Sequence, residues 1–201
     1  SYPMALSAIS FFLMQSTDVL FISAYDTFDS VAYYSIAVKL ASVTALALIS
    51  VNIVIAPKIA SIYNDKNFYE LKLILKKATR INVVISLPII IVLLCFSEYI
   101  LSTFGINYVL AKSALWVLLI AQFFNSVTGP SALYLNMTGR QKKLNVILLI
   151  SLLINIVLNI ILVPAYGMLG AAISTTASFI ISKIFASALV LYLDNVKTFI
   201  S

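Results

Sequence analysis

The chain has 201 residues, of which 62% are hydrophobic and 10% charged, and its net charge is +6. A soluble domain carries roughly 25% charged residues, so there is too little polar surface here to cover a water-facing core, and most side chains are expected to meet lipid. The basic excess comes without stacking aromatics along a basic groove, which argues against nucleic acid; the lack of histidine and the single cysteine, Cys95, exclude His-based metal sites, Ser-His or Cys-His catalysis and an intrachain disulfide.

The opening Ser-Tyr-Pro precedes its apolar stretch without a basic region, so a signal peptide is not expected and the chain reads as a piece of a longer protein. About 20 apolar residues cross the hydrocarbon as a helix, and six segments meet that length. Residues 4–23 hold one charge, Asp18; residues 31–57 hold Lys39; residues 81–97, 113–135 and 144–163 hold none; residues 169–193 hold Lys183. Their apolar runs are continuous rather than alternating, which rules against membrane strands. Pro88 and the Gly129-Pro130 pair fall inside spans and are expected to kink them, while Pro164 and Gly167 mark a tight turn. No repeat, low-complexity tract or linker divides the sequence. The expected fold is a single all-α transmembrane domain over residues 1–201 with six transmembrane helices.

The connections set a direction. Segment 58–80 carries Lys58, Lys66, Lys72, Lys76, Lys77 and Arg80; segment 136–143 carries Arg140, Lys142 and Lys143; the tail carries Lys197. These ten basic residues fall on one side, against Lys112 alone on the other. By the positive-inside bias the basic side is cytoplasmic, and both ends of the chain lie there. Within segment 58–80, Phe68, Leu71, Ile74, Leu75 and Ala78 recur at helical spacing, and Asn67 with Glu70 resembles a capping box. This predicts a short amphipathic helix lying on the cytoplasmic leaflet, against the alternative of a solvated connector.

Charges inside spans are costly and face protein or water. Asp18 lies nine residues before the turn near Thr27 and Lys39 twelve after it, so the two are expected to approach each other across a helical hairpin. Two readings stay open: a static ion pair, or a proton or sodium site at Asp18 with Lys39 as an anion contact. Lys183 either snorkels to the headgroups or holds a negative substrate. Asn155 and Asn159 share one helix face, as do Gln122, Asn125 and Gly129, while Gln15 and Asn52 add polarity to the first two spans. Interhelical hydrogen bonding accounts for most of these; Asn125 and Asn159 are the candidates for a pathway. The five glycines form neither GxGxxG nor a P-loop. No nucleotide site or other cofactor is expected, and no enzyme activity.

Several connected motifs carry a resemblance. They are Asp18-Val19-Leu20-Phe21, the run from Val31 to Leu40, Ala56-Pro57-Lys58-Ile59-Ala60, Phe104-Gly105 with Tyr108, Leu135-Asn136-Met137-Thr138-Gly139-Arg140, and the run from Pro164 to Ala172. In this order and spacing the chain resembles the C-terminal half of polysaccharide (O-antigen type) flippases, within the multidrug/oligosaccharidyl-lipid/polysaccharide exporter superfamily. Ala32 stands where such proteins often have Gly. The resemblance implies one six-helix lobe of a two-lobe exporter, partnered by an N-terminal lobe and membrane lipids in the bacterial cytoplasmic membrane. It implies transport of an undecaprenyl-diphosphate-linked oligosaccharide by alternating access for cell-surface polysaccharide synthesis, with H+ or Na+ coupling and with Lys39 and Lys183 as countercharges to the diphosphate.

The rivals are a multidrug or metabolite antiporter of the same superfamily, a lipid II flippase, a membrane glycan polymerase or ligase, and a membrane scaffold. A polymerase needs a sizeable external loop, which the short connections do not offer, and a scaffold leaves the intramembrane charges without a reason. The charge asymmetry makes a topological prediction. Cysteines placed at Asp29 and Asn107 react with an impermeant thiol reagent in intact cells and one placed at Lys76 does not; equal labelling at Lys76 overturns the orientation.

Overall fold

A computed structural model of the protein describes Leu13, residues 16–196 and residues 198–199. Gln15, Lys197 and the early part of the first expected span lie outside the described residues. Nearly everything described is helical: residues 16–25 (α1), Phe28–Val43 (α2), Ala45–Asn64 (α3), Phe68–Cys95 (α4), Ser97–Ser102 (α5), a 3-10 segment Ile106–Ala111, Lys112–Thr128 (α6), Ser131–Met137 (α7) and Gln141–Asp194 (α8). Four of these stretches are long and apolar enough to cross a membrane: Ala45–Asn64, Phe68–Cys95, Ile106–Thr128 and Gln141–Asp194. The chain is therefore an all-α, polytopic membrane protein. Large apolar side chains such as Ile53, Val84 and Leu153 are more than 60% exposed, as they must be where the surrounding solvent is lipid.

α8 is not straight. Gly167 has φ 53° and ψ −131°, which reverses the chain between two arms. A Cβ at Gly167 would lie 2.7 Å from Asp26 Oδ2, so the reversal sits against the α1–α2 turn, and its positive φ favours glycine. The reversal falls where Pro164 and Gly167 mark a turn in the sequence.

Two boundaries differ from the expectation. The stripe at 68–78 is not a separate helix on the membrane surface. It is the first part of α4, which runs unbroken from its Asn67 cap through Pro88 to Cys95. Leu71 and Leu75 are fully buried and Ala78 nearly so, packed with Ile59, Tyr134, Leu135 and Val190. Periodicity shows that a stripe is covered; here protein covers it, not lipid. Likewise the second span does not end at Pro57, which lies inside α3.

Buried residues form two apolar clusters with a polar layer between them. One cluster holds Ile22, Ala37, Leu101, Leu115, Leu119 and Ala171; the other, at the basic end, holds Ile59, Leu71, Leu75, Leu135, Leu144 and Val190. Most buried polar residues fall between these clusters along their helices: Thr44, Asn82, Ser86, Asn125, Ser126, Ser151, Asn155, Asn159, Ser174 and Ser178.

Two helices break within this layer. α2 passes to α3 at Thr44, whose carbonyl accepts a bond from Ser86 Oγ at 3.3 Å. α6 ends before Gly129-Pro130; Pro130 has no N–H, so the carbonyl of Ser126 four residues earlier loses its helical donor, and Asn82 Nδ2 donates to it at 3.3 Å. Gly129 takes φ 63° and ψ −156°, a region that is essentially glycine's alone. A Cβ there would come within 2.1 Å of Thr79 Oγ1 and 2.6 Å of the Thr198 carbonyl. Thr79 in turn donates to that carbonyl at 2.7 Å, which ties the segment after α8 back into the bundle.

Each end has its own clamp. At the basic end Arg140 donates through both outer nitrogens to Asp194, which also accepts from Tyr134 Oη at 2.6 Å, and Arg140 Nη2 donates to Tyr63 Oη at 3.0 Å. This joins the ends of α3, α7 and α8. At the other end Lys112 meets Glu98 at 2.6 Å and holds that exposed carboxyl below its usual range, chiefly through the hydrogen bond. Because the pair is solvated, it adds little stability.

Candidate functional site

The site is built around Asp18, which is 1% exposed. Each carboxylate oxygen receives two donors. Oδ2 accepts from Tyr34 Oη at 2.6 Å and from Thr175 Oγ1; Oδ1 accepts from Asn159 Nδ2 at 2.9 Å and Asn155 Nδ2 at 3.4 Å. The network is linked internally as well, since Asn155 Nδ2 lies 3.0 Å from Thr175 Oγ1 and Asn159 Nδ2 lies 3.1 Å from the Asn155 carbonyl. α1, α2 and both arms of α8 thus converge on one carboxylate.

Local structure explains the convergence. Asp18 and Tyr34 each lie eight residues from Asp26 at the hairpin turn, so they are level in depth. Asn155 and Asn159 are four residues apart and present one face of the first arm. Thr175 lies on the returning arm, eight residues after the Gly167 reversal.

All four donors are neutral, and no basic side chain reaches Asp18 within ion-pair distance among the described residues. A buried charge is normally paired; this one is satisfied by hydrogen bonds alone. Asn159 Oδ1 is buried with no donor, which leaves an unused lone pair beside the carboxylate. One carboxylate with amide, hydroxyl and phenol oxygens suits a proton or a hard cation rather than a soft metal.

Asp18, Tyr34 and Thr175 line a cavity of about 510 Å3, together with Lys39, Gln122 and Phe179. The expected approach of Asp18 to Lys39 is therefore corrected. The two share a cavity, but no ion pair joins them. Lys39 lies five residues beyond Tyr34, about 7.5 Å further along the helix and rotated by about 140°, so it lines the cavity away from the point where Tyr34 meets Asp18. Asn159 is in the network. Asn125 is buried outside the network, where its Nδ2 contacts Oε1 of the cavity residue Gln122 at 3.3 Å and its Oδ1 has no donor. Lys183 is half-buried, with Nζ 5.3 Å from the ring centroid of Phe179, a cavity residue. It stands behind the cavity wall.

Tyr34, Asn155 and Thr175 are the network residues not singled out from the sequence. Asn155 was visible as the partner of Asn159 in spacing, and Tyr34 by its equal distance from the turn. Thr175 sits in a Ser-Thr-Thr run with nothing to distinguish it.

Comparison with known proteins supplies the family. The MatE family model matches residues 3–161. The chain belongs to the MatE family. Over 148 residues it is 30% identical to a putative O-antigen transporter of Shigella flexneri, a match that covers 73% of this chain and 35% of that relative. The chain thus corresponds to about a third of the relative's length. No solved structure matches. MatE membership places the chain in a family of transport proteins.

The network predicts which groups are coupled. In denaturation of the detergent-solubilised protein, a double-mutant cycle between Asp18→Asn and Tyr34→Phe gives a coupling of about 1.5–3 kcal/mol, as for a hydrogen bond to a charged group. The cycle between Asp18→Asn and Lys39→Ala stays below about 0.5 kcal/mol. A large Asp18–Lys39 coupling contradicts the geometry.

Proposed function

We propose that this MatE chain forms one six-helix lobe of a two-lobe exporter that moves an undecaprenyl-diphosphate-linked oligosaccharide across the bacterial cytoplasmic membrane by alternating access. The basic end is cytoplasmic. Asp18 is the site of a coupling cation, a proton or sodium; taking up sodium requires Tyr34, Thr175, Asn155 and Asn159 to turn oxygens toward it in place of the donors they now give the carboxyl group. Lys39 is the countercharge on the cavity wall, and Lys183 is a second one, reached when Phe179 turns aside. Gln122 on the cavity wall and Asn125 bonded to it extend the polar path.

One observation carries this reading: an acid of α1 buried against the membrane-length α8, with four neutral donors and no basic partner among the described residues, in the wall of a cavity that also exposes a lysine. A structural acid would be paired with a base. An acid in an unpaired setting changes its charge by taking up a cation, and does so within a membrane protein at functional positions. The name of the Shigella relative supports a glycan cargo, and a diphosphate headgroup needs the positive charge that Lys39 places in the cavity.

The test is complementation with the full-length protein in a strain lacking it. Asp18→Asn inserts at normal level but lowers surface polysaccharide by about tenfold or more, equivalent to at least about 1.4 kcal/mol on the transport barrier. Lys39→Ala and Lys183→Ala lower it less, and Lys183→Arg retains more activity than Lys183→Ala. Normal polysaccharide with Asp18→Asn removes the coupling role. Normal polysaccharide in all three, with altered drug sensitivity, favours the antiporter.

A further inference from the structure

A second concavity lies away from Asp18. A groove of about 520 Å3 runs between the two arms of α8 at the basic end. Val146 and Ile147 line it from the first arm, Phe185 and Leu189 from the second, with Lys143 and Tyr192 at its mouth. Lys143 is two residues into α8 and Tyr192 two residues from its end, so both stand at the same level. Phe185 lies seven residues below Tyr192, about 10 Å along a helix. That is about two thirds of the hydrocarbon depth of one leaflet, taken as half of about 30 Å. The groove is thus apolar through most of a leaflet and basic at the headgroup level.

The charge at the mouth has no internal partner. Asp194, the acid that ends the second arm, is taken by Arg140 and Tyr134. Lys142 and Lys143 are exposed and make no ion pair among the described residues. Asp65 and Glu70, the other acids at this end, form no ion pair with either lysine, and Glu70 accepts from Asn67 Nδ2 at 3.0 Å. A phosphate at this level would therefore meet uncompensated positive charge. A zwitterionic headgroup brings its own cation to the same place; an anionic headgroup does not.

We propose that this groove binds one anionic phospholipid of the cytoplasmic leaflet. An acyl chain lies between the arms of α8 against Phe185 and Val146, and the phosphate lies against Lys143 with the Tyr192 hydroxyl as a second donor. The assignment to that leaflet rests on the orientation proposed above; the binding itself does not require the transport reading.

The test uses the full-length protein in nanodiscs of phosphatidylcholine. Phe185 is 58% exposed, so Phe185→Trp is accommodated, and its fluorescence is read as the difference from the parent protein. Acyl-brominated phosphatidylglycerol quenches this tryptophan about fivefold more strongly per mole than acyl-brominated phosphatidylcholine, the preference that one juxtamembrane lysine gives for an anionic lipid. Adding Lys143→Gln abolishes the preference and Lys143→Arg keeps it. Equal quenching by the two lipids means ordinary annular lipid and overturns the proposal. Absence of quenching by either means that another helix or a second copy covers the groove, which overturns it as well. Both readouts are independent of export: a headgroup preference without a polysaccharide phenotype leaves the lipid site standing and removes only the transport reading.

Discussion

The bond pattern around the Asp18 carboxylate sets the terms for the helices that carry it. In hydrocarbon an ionised side chain has no water to accept from, so every lone pair left open is costly. Here four donors from three helical segments, α2 and the two arms of α8, close on one acid of α1. Their positions follow from two turns, at Asp26 and at Gly167, which lie close enough that a Cβ on the glycine would overlap the aspartate. The depth of the acid, the register of two hairpins and the identity of residue 167 are thus one linked constraint.

The remaining polar residues follow the same logic at lower stakes. Between two apolar clusters lies a layer in which helices are broken, and polar side chains of α4 repair the breaks. Asn82 replaces the donor that Pro130 lacks, while Ser86 adds a bond to the Thr44 carbonyl where α2 passes to α3, and Thr79 packs against Gly129. Breaks at mid-depth are tolerated in spans because neighbours re-satisfy the freed backbone. They also place deformable points in α2–α3 and α6–α7, next to the cavity that Asp18 and Lys39 share. The basic end, by contrast, is pinned by the Arg140–Asp194 network with Tyr134 and Tyr63.

Much of this is legible before any coordinates, and the gaps have physical causes. The spans follow from hydrocarbon thickness, and Asp18 stands out because an acid there is expensive. Asn155 and Asn159 declare a face by their spacing. Lys39 shares the Asp18 cavity, but counting from the turn does not give azimuth, and it is Tyr34 that meets the acid. The stripe at 68–78 was misread because periodicity marks a covered face without saying whether lipid or protein covers it, and Leu71 and Leu75 are covered by protein. Thr175 was hidden because adjacent hydroxyl residues in one run point in different directions, and only packing selects among them.

The central claim, that the carboxylate at Asp18 is a cation site rather than a structural acid, is tested most directly by charge displacement. Full-length protein in liposomes on a solid-supported membrane is given a sodium or proton jump without substrate. The account predicts a transient charge displacement with one of the two ions, abolished by Asp18→Asn, weakened by Tyr34→Phe and retained by Lys39→Ala. A displacement unchanged in Asp18→Asn would contradict it, as would folded parent protein that responds to neither ion.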